Sequence, residues 1–476
     1  MVIDAQSCYR ALATHDARFD GRFFVGVSST RIYCRPVCRV RTPRPEHCRY
    51  FASAAAAEVA GYRPCLRCRP ELAPGFASVD ATERLAQAAV ELIDGGVLED
   101  GGLERLARRL GVTSRHVRRI FERAFGVTPV EYAQTQKLLL AKRLLTDTAL
   151  PITEVALASG FNSVRRFNAL WKARYRMPPT RLRRDSGAGA PGDVMRFELA
   201  YRPPYDWDAM HAFLAARAIA GVEDAGGQAY RRTIAVAHRG SVHTGWLRVR
   251  PAARRPALVL EMSPSLAHVV PLVLARVRHL FDLSCHPDEV AGALGDLAAG
   301  ATGLRLPGTT DGFELAVRAV VGQQVSVRSA RTLLGRIAAR FGEPVAAPDG
   351  LTHVFPTASR IAEIEGAELA SLGVLPARAR TLVALARAVA DGEVDLQFGA
   401  PVDAMREALE RIPGIGPWTV EYIAMRALGW PDAFPAGDHA VLKALGATRA
   451  GQAQKQSESW RPWRAYAVMH LWKGMA

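Results

Sequence analysis

The 476-residue sequence lacks any run of 18 apolar residues, the length that a membrane-spanning helix requires. Its first ten residues have neither the basic start nor the apolar stretch of a secretory signal peptide, so we expect a cytoplasmic protein that does not act at a membrane. Acidic residues are also in deficit, with 46 of them against 62 lysines and arginines. The net charge of +16 favours a polyanionic partner such as nucleic acid.

The positive charge is unevenly distributed along the chain. Residues 1–81 contain 12 lysines and arginines against 7 acidic residues, and residues 82–184 contain 19 against 10. The remaining residues are nearly balanced, with 31 against 29. We therefore expect the contacts with nucleic acid phosphates to concentrate in the first 184 residues.

Cysteine is scarce outside one short segment, because five of the seven cysteines fall between residues 34 and 68. An odd number of clustered cysteines in a chain without a secretory signal argues for metal binding rather than disulfides. Cys34 and Cys38 form one close pair and Cys65 and Cys68 another, a spacing typical of a single tetrahedral zinc site. On spacing alone, a purely structural zinc site that holds a small domain together is the simpler interpretation.

Two helix-turn-helix patterns lie within residues 82–184, which have strong helical periodicity. In each pattern a short glycine-containing turn, at 111–113 or 160–162, precedes a second helix, with Ser114 and Ser163 as the predicted N-caps. A charged helical face is usually only solvated surface, but two paired units favour DNA recognition. The second helices carry the arginines that we predict to contact DNA, namely Arg115, Arg118, Arg119, Arg165 and Arg166.

Composition divides the chain into four domains. Residues 185–192, with the sequence DSGAGAPG, are small and flexible and form the predicted linker. Strand-like runs mixed with helical stretches follow the linker, and from about residue 308 the pattern is helical to the end. We predict a multidomain α+β protein: a small zinc-bound α/β domain at 1–79, an all-α domain at 80–184, an α+β domain at 193–306 and an all-α domain at 307–476.

A Pro-Gly-Ile-Gly-Pro turn at residues 413–417 lies between two helical patterns. Because Gly414 and Gly416 have no Cβ, the main-chain N–H groups of the turn could approach a phosphate closely. The turn alone would also fit an ordinary loop between helices. The lone carboxylate of Asp438, about one helix downstream, favours chemistry on DNA instead.

Two stretches around the cysteines, TRIYCRPVC at 30–38 and GYRPCLRCRP at 61–70, are similar to the amino-terminal domain of the Ada family. The resemblance covers nearly all of residues 1–75. It implies that one Zn²⁺ is bound by Cys34, Cys38, Cys65 and Cys68, and that Cys34 irreversibly accepts a methyl group from an alkylated DNA phosphate. It also implies contacts with the DNA backbone by Thr30, Arg41 and Arg67, and we expect Arg35 and Arg39 to face phosphate as well.

The pair of helix-turn-helix patterns, joined by a long helix at 129–145, resembles the AraC-type DNA-binding domain. The more specific marks of this resemblance are Gly160-Phe161, Phe167 and the Pro-Pro-Thr sequence at 178–180. It implies that this region recognises promoter DNA, activates transcription and contacts RNA polymerase.

Three stretches after the linker resemble AlkA, the DNA-3-methyladenine glycosylase II family with a helix-hairpin-helix domain. They are RPPYDW at 202–207, FLAARA at 213–218 and LFDLSC at 280–285, and the similarity continues to the carboxyl terminus. The resemblance implies that Asp438 is the catalytic acid. The resemblance further implies a base pocket of Trp418, Tyr422 and Trp472, and DNA contacts at Gly414, Gly416 and Gln324. Without the resemblance, aromatic residues at helical spacing would more often belong to a hydrophobic core.

Three features refine the expected glycosylase activity. Trp418 stands where other hairpin glycosylases carry a Schiff-base lysine, so we expect a monofunctional enzyme. No cysteine follows Cys285, which excludes the iron–sulfur cluster of other branches of the superfamily. Gln324 stands where the best-known AlkA proteins place an apolar wedge that fills the gap left by a flipped base, so its effect on the range of damage is open.

The sequence therefore predicts DNA alkylation repair joined to its own regulation. We expect a monomer that hydrolyses the N-glycosidic bond of alkylated bases such as 3-methyladenine and transfers a methyl group from DNA methylphosphotriesters to Cys34. One alternative is a methyl-sensing activator whose glycosylase half is inactive, although the intact set of Asp438, Trp418 and the two hairpin glycines argues against it. Another is a structural zinc protein with a DNA tether, in which Cys34 is inert.

Overall fold

The computed structural model describes residues 4–74, 81–94, 96–148, 150–186, 194–238 and 240–474. The chain forms two compact units, and it passes from one to the other more than once. The first comprises Met1–Pro203, Pro251–Ala275 and Leu283–His286, and the second comprises Pro204–Arg250, Arg276–Asp282 and Pro287–Ala476. Within the described ranges, no helix combines the length and the apolar character needed to cross a bilayer.

The elements before residue 187 are mostly helical, with a small sheet near the start. The helices are α1 (Ala5–Ala13), α2 (Ala54–Val59), α3 (Ala81–Asp94), α4 (Val97–Arg109), α5 (Ser114–Phe125), α6 (Pro129–Asp147), α7 (Ile152–Ala158), α8 (Val164–Tyr175) and α9 (Pro179–Ser186). The strands are β1 (Phe24–Val27), β2 (Ile32–Cys34), β3 (Cys48–Phe51) and β4 (Arg63–Pro64), and 3-10 turns span Ala17–Phe19, Pro45–His47 and Pro70–Leu72.

The elements from residue 194 onward begin with strands and end with helices. The strands are β5 (Met195–Ala200), β6 (Glu223–Asp224), β7 (Tyr230–His238), β8 (Ser241–Pro251) and β9 (Ala257–Met262). The helices are α10 (Trp207–Ala215), α11 (Val270–Leu280), α12 (Pro287–Leu294), α13 (Gly312–Val321), α14 (Val327–Phe341), α15 (Ala358–Ala362), α16 (Gly366–Ser371), α17 (Pro376–Ala390), α18 (Val402–Glu410), α19 (Pro417–Arg426), α20 (His439–Ala444), α21 (Ala450–Gln456) and α22 (Arg464–Lys473).

The small sheet of the first unit has the strand order β3-β1-β2-β4. β1 pairs antiparallel with β2 and β3, whereas β2 and β4 are parallel, with Tyr33 opposite Pro64. Parallel strands end at the same edge of a sheet, so the residues that close β2 and follow β4 meet there. This pairing explains how two cysteine pairs that are far apart in sequence come together.

The helix-turn-helix region follows the predicted pattern, because α5 and α8 are the second helices of the two units. One cap was predicted wrongly: Thr113, and not Ser114, caps α5, since its side chain accepts a hydrogen bond from the His116 N–H group. Ser163 caps α8 as predicted. The connecting helix α6 begins with a capping box formed by Thr128 and Glu131, a device that satisfies two N–H groups at the helix start.

Most of the predicted linker lies outside the described residues. Its first two residues, Asp185 and Ser186, form the end of α9. In the same unit, β5 pairs antiparallel with β9 from Met195 opposite Met262 to Ala200 opposite Ala257. β5 and β9 thus lie in the part of the chain where the sequence predicts strand-like runs.

The second unit combines an antiparallel hairpin with a helical core. β7 and β8 pair over their length, from Tyr230 opposite Val249 to His238 opposite Ser241, and β6 adds to β7. The helical core is apolar, with side chains such as Val320, Leu385 and Val420 fully buried. This core fixes α13, α17 and α19, and the turn between α18 and α19 is the predicted hairpin.

Candidate functional sites: a four-cysteine cluster and an aspartate with two tryptophans

The sulfur atoms of Cys34, Cys38, Cys65 and Cys68 lie within 4.8 Å of one another. Four thiolates at about 2.3 Å from one ion stand about 3.8 Å apart in a tetrahedron, so the cluster suits Zn²⁺. Cys34 ends β2, and Cys65 directly follows β4, its N–H group donating to the carbonyl of Tyr33 at 3.0 Å. The predicted ligands thus come together as one zinc site.

Arg35 is buried beside the cluster, contrary to the prediction that it faces DNA. Its guanidinium pairs with Asp20 and donates to the carbonyl of Cys68 at 3.2 Å. Its main-chain N–H group donates to the sulfur of Cys68 at 3.4 Å. The carboxylate of Asp20 is itself buried, so the charge of Arg35 is satisfied inside the domain and is not presented to a phosphate.

The other residues predicted to hold the DNA backbone are exposed. Cys8 and Cys48, which are not among the zinc ligands, pack in one hydrophobic cluster with Phe23 and Val25. The exposed candidates in this domain are Thr30, Arg39, Arg41 and Arg67.

The basic faces of α5 and α8 are also exposed, because each helix buries a different face. Val117 and Phe121 are fully buried in α5, and Phe167 and Trp171 are fully buried in α8. The exposed arginines on these two helices are Arg115, Arg118, Arg119, Arg165 and Arg166, the ones predicted to contact DNA.

A buried carboxylate joins the zinc region to the recognition helix α8 within the first unit. The hydroxyl of Tyr33 donates to Glu58 at 3.1 Å, and Arg174 of α8 lies 3.5 Å from the other oxygen of Glu58. Burial raises the pKa of Glu58 to about 7, although Arg174 and the Tyr33 hydroxyl both oppose the rise. Tyr33 immediately precedes Cys34, so this contact lies one residue from the proposed methyl acceptor.

In the second unit, four N–H groups converge on the carboxylate of Asp438. The indole N–H of Trp418 donates to one oxygen at 3.0 Å, and the indole N–H of Trp472 donates to the other at 3.0 Å. Asp438 also caps α20, accepting from the main-chain N–H groups of Ala440 and Val441 at 3.0 and 3.1 Å. The side chain is half-buried, and all four contacts are of the kind that a charged carboxylate accepts most strongly.

The aromatic side chains predicted for the pocket are in contact with one another. Trp418 stacks on Tyr422 with ring centroids 5.3 Å apart, and Tyr422 lies 6.3 Å from Trp472. Trp472 also stacks on Phe213, at 6.2 Å and an interplanar angle of 14°. The site is therefore a set of half-buried aromatic faces next to one fixed carboxylate.

The two hairpin glycines differ in what requires them. Gly414 has a φ of +91°, and a Cβ there would collide with the hydroxyl of Thr381, which donates to the carbonyl of Pro413 at 2.8 Å. Only glycine fits that position. Gly416 has an extended backbone, and a Cβ on it would meet no atom of the described residues within 4 Å, so the space beside it is open.

Gln323 fastens the loop that carries the wedge position to the hairpin. Its side-chain amide donates to the carbonyl of Gly414 at 3.0 Å and to the hydroxyl of Thr419 at 2.9 Å. The neighbouring Gln324 is exposed and has a φ of +52°, a left-handed conformation that side chains rarely adopt. The predicted wedge residue thus stands on a braced loop.

Comparisons with known proteins cover almost the whole chain. A protein of Mycobacterium tuberculosis described as a probable bifunctional transcriptional activator/DNA repair enzyme AlkA is 39% identical, and the match covers 98% of this chain and 96% of that protein. The chain belongs to the same family as this bifunctional transcriptional activator/DNA repair enzyme AlkA. Four family descriptions match in order: the metal binding domain of Ada at 7–71, a helix-turn-helix domain at 106–185, the AlkA N-terminal domain at 196–311 and the HhH-GPD superfamily base excision DNA repair protein at 317–463.

Two further relatives match the two halves of the chain separately. The DNA-3-methyladenine glycosylase 2 of Escherichia coli is 38% identical over 58% of this chain and 96% of its own length. The bifunctional transcriptional activator/DNA repair enzyme AdaA of Bacillus subtilis is 33% identical over 37% of this chain and 82% of its own length. The predicted family, fold class, zinc cofactor and general function, DNA repair joined to transcriptional regulation, are thereby confirmed.

Several residues of these sites were not predicted from the sequence. Phe213 belongs to a stretch that marks the AlkA family, yet nothing in its spacing indicated that it would stack on Trp472. Gln323 and Thr381 brace the hairpin from positions far away in the sequence. Gln323 had a usable signal, because it neighbours the predicted wedge residue, whereas Thr381 had none.

Proposed function

We propose that the carboxyl-terminal half of the chain is a monofunctional DNA glycosylase that removes alkylated bases such as 3-methyladenine. The observation that carries the proposal is the carboxylate of Asp438, held by the indole N–H groups of both Trp418 and Trp472. Two walls of an aromatic pocket thereby orient the group that must act on the sugar.

The chemistry needs both parts of this arrangement. An alkylated purine is positively charged and electron-poor, so it stacks well on the electron-rich faces of Trp418, Tyr422 and Trp472 once it has left the DNA helix. When the glycosidic bond breaks, its electron pair goes to the departing base and positive charge develops on the sugar. The carboxylate of Asp438 stabilises that charge and orients the water that adds to C1′.

The proposed enzyme does not cut the DNA backbone. A Schiff-base mechanism requires an amine at the position of Trp418, and here that position supplies an indole that is already bonded to Asp438. Gly414 and Gly416 are proposed to hold the DNA phosphate through main-chain N–H groups, and the open space beside Gly416 supports this role. Gln324 is proposed to enter the gap left by the flipped base.

The glycosylase proposal is tested by incubating the purified protein with a duplex that contains 3-methyladenine. Free base should appear, and the DNA should carry abasic sites in uncut strands. The matched control for an Asp438→Asn variant is Asp311→Asn. Asp311 lies in the same unit and caps α13, just as Asp438 caps α20. No base release by the wild-type protein would refute the proposal.

We propose that the amino-terminal domain transfers a methyl group from DNA methylphosphotriesters to Cys34. Bound zinc would keep the cysteine sulfurs as thiolates at neutral pH. The sulfur of Cys34 attacks the methyl carbon, the carbon–oxygen bond breaks, and a phosphodiester anion leaves. We propose that Thr30, Arg41 and Arg67, which are exposed, hold the DNA backbone during this step.

The methyl-transfer proposal is tested with a duplex that carries one methylphosphotriester. The mass of the peptide that contains Cys34 should increase by one methyl group, and each protein molecule should react once. Cys48→Ala is the control, since Cys48 packs in a separate hydrophobic cluster and should leave the transfer intact. A methyl group on any other cysteine would contradict the assignment.

The helix-turn-helix region supports a role in transcription. The exposed arginines of α5 and α8 suit the recognition of promoter DNA, and activation would require a contact with RNA polymerase. We propose that the protein acts as a monomer in the cytoplasm. The alternative of an inactive glycosylase half is disfavoured by the intact hydrogen bonds of Asp438.

A further inference from the structure

Polar contacts join the zinc domain, residues 4–74, to helices α5 and α6 within the first unit. The hydroxyl of Ser53 donates to the carbonyl of Phe125, at the end of α5, at 2.7 Å. Lys142 of α6 donates to both carboxylate oxygens of Glu71 at 2.7 Å, and both of these side chains are almost fully buried. The zinc domain is therefore fastened to the first recognition helix and to the helix that connects the two helix-turn-helix units.

The second recognition helix, α8, is joined to the zinc domain at its last turn. Arg174 lies 3.5 Å from one carboxylate oxygen of Glu58, and the other oxygen accepts a hydrogen bond from the hydroxyl of Tyr33 at 3.1 Å. Glu58 belongs to α2 and is 1% exposed, and Tyr33 directly precedes Cys34. This contact thus connects the end of α8 to the backbone beside a zinc ligand.

The ion pair of Glu58 and Arg174 favours one arrangement of α2 and α8 over others. A buried ion pair adds little net stability compared with apolar side chains of the same volume, because the charges must lose their water. Moving Arg174 away, however, would leave the carboxylate of Glu58 buried without its cation, at a much higher cost. We therefore expect the pair to fix the orientation of α8 more than to stabilise the fold.

The orientation of α8 matters because its DNA-facing end lies far from its anchored end. The buried face of α8 is an aromatic stack, with ring centroids 5.6 Å apart for Phe167 and Trp171 and 4.4 Å apart for Trp171 and Tyr175. Arg166, in the first turn, lies about 12 Å from Arg174 along the helix axis. A tilt of about 10° at the anchored end would move Arg166 by about 2 Å. Such a displacement exceeds the tolerance of a hydrogen bond to a base.

We propose that Glu58 of the zinc domain and Arg174 of α8 are positioning residues that determine which DNA sequence the second recognition helix reads. The zinc domain then has a task besides its own chemistry, which is to aim α8 at the base edges. The inference rests on the proposed recognition of promoter DNA and goes beyond it. It makes the choice of sequence depend on Glu58, a buried residue that cannot itself touch DNA.

The test first identifies which part of a DNA site each recognition helix reads. Full-length protein selects sequences from a pool of duplexes with a randomised centre, at pH 8, above the pKa of about 7 of Glu58, so that its carboxylate is charged. The selected motif should contain two half-sites, because each recognition helix can enter the major groove. Arg118→Ala should remove the base preference in the α5 half-site, and Arg166→Ala should remove it in the α8 half-site.

Glu58→Gln and Arg174→Met should both weaken reading of the α8 half-site alone. Preference for the selected duplex over one with a scrambled α8 half-site should fall by about 10-fold, whereas preference over a scrambled α5 half-site should change by less than about twofold. The double variant should lose no more preference than either single variant, because the two residues act as one pair. The control is Arg176→Met, which removes an exposed positive charge beyond the same end of α8 and should leave both preferences intact.

Zinc content and thermal unfolding show whether each variant is folded. Arg174→Met is expected to fold even if Glu58→Gln does not, since the side chain of Arg174 is 26% exposed. A folded Arg174→Met protein that keeps its preference in the α8 half-site, or that loses both half-sites equally, would overturn the inference. A wild-type protein that selects no motif would instead refute the proposed recognition of promoter DNA.

Discussion

In the proposed functions, the zinc cluster and the Asp438 pocket both hold a negatively charged group for chemistry on alkylated DNA, but they hold it by different means. In the cluster, four sulfurs within 4.8 Å of one another need an ion to keep them together. In the pocket, four N–H groups fix a single carboxylate without any metal ligand. In the proposed chemistry, the first arrangement supplies a nucleophile that is consumed, and the second supplies a charge that survives each turnover.

This difference has a consequence for how the two sites tolerate change. A thiolate that forms a bond to carbon must itself react, so no other side chain can replace Cys34. A carboxylate that stabilises charge depends on its neighbours as well, so losing a donor such as Trp418 should weaken the site without destroying it.

The largest effect should follow the loss of the pocket charge. Asp438→Asn keeps the shape of the side chain and its ability to cap α20, but an amide cannot balance the positive charge on the sugar. We expect base release to fall by on the order of 10²-fold or more, while DNA binding stays nearly unchanged. Quantifying free 3-methyladenine alongside a binding titration checks this, and release at the wild-type rate would show that Asp438 is not the catalytic group.

A smaller effect should follow Trp418→Lys, which places an amine where lyase enzymes carry one. The variant loses an indole hydrogen bond to a carboxylate, so we expect base release to fall by about 10-fold. It should form no Schiff base, because the amine would also need a lowered pKa. Borohydride trapping measures this, and a trapped complex of wild-type protein with DNA would contradict the monofunctional assignment.

Methylation of Cys34 should raise the affinity of the protein for DNA, because it removes one negative charge from the zinc site. The thiolate becomes a thioether, and the exposed Arg39, Arg41 and Arg67 then meet phosphate with less opposition. The expected gain is roughly 1 kcal/mol at low salt, about fivefold in affinity, for specific and non-specific duplexes alike.

The affinity gain is measured by titrating a promoter fragment and a scrambled duplex with unmodified and methylated protein at two salt concentrations. The gain should shrink at high salt, since exposed charges are screened. Unchanged affinity for both duplexes after confirmed methylation would remove the switch while leaving the repair reaction intact.

The smallest expected effect is on the stability of the first unit and on how that stability depends on pH. The pKa of Glu58 in the folded protein is about 7, above its ordinary value of 4.5, so the folded state binds the proton more tightly. The resulting stabilisation is complete below pH 4.5 and is lost as pH rises through 7, by up to about 1 kcal/mol per pH unit. Glu58→Gln should flatten this dependence in denaturant titrations from pH 5 to pH 8, and an unchanged slope would contradict it.

The zinc site was predictable from sequence because its ligands are cysteines in two close pairs, and few other arrangements satisfy that pattern. The orientation of Arg35 was not predictable, since its burial depends on Asp20, which comes from a different part of the domain. The capping of α5 shows the same limit on a smaller scale. Thr113 and Ser114 can both cap a helix, and only the backbone decides between them.

The pocket was predictable only in part. Asp438 and the hairpin follow a local pattern, and the turn lies between two helices, α18 and α19, as predicted. The stacking of Phe213 on Trp472 depends on the packing of α10 against α22. The contact of Arg426 with Tyr422 depends on how residues 307–308 pack against α19. Such contacts join segments far apart in sequence, and no local periodicity encodes them.

The central claim, that one chain carries two independent repair chemistries, is tested most directly in a single reaction. Methylated DNA that contains both 3-methyladenine and methylphosphotriesters is incubated with wild-type protein, Cys34→Ala and Asp438→Asn, and free base and protein-bound methyl are measured together. We expect Cys34→Ala to release base without taking up methyl, and Asp438→Asn to take up methyl with base release reduced by on the order of 10²-fold or more. Loss of both activities in either variant would contradict the account. So would a Cys34→Ala protein whose zinc domain no longer folds, if the wild-type protein also takes up no methyl.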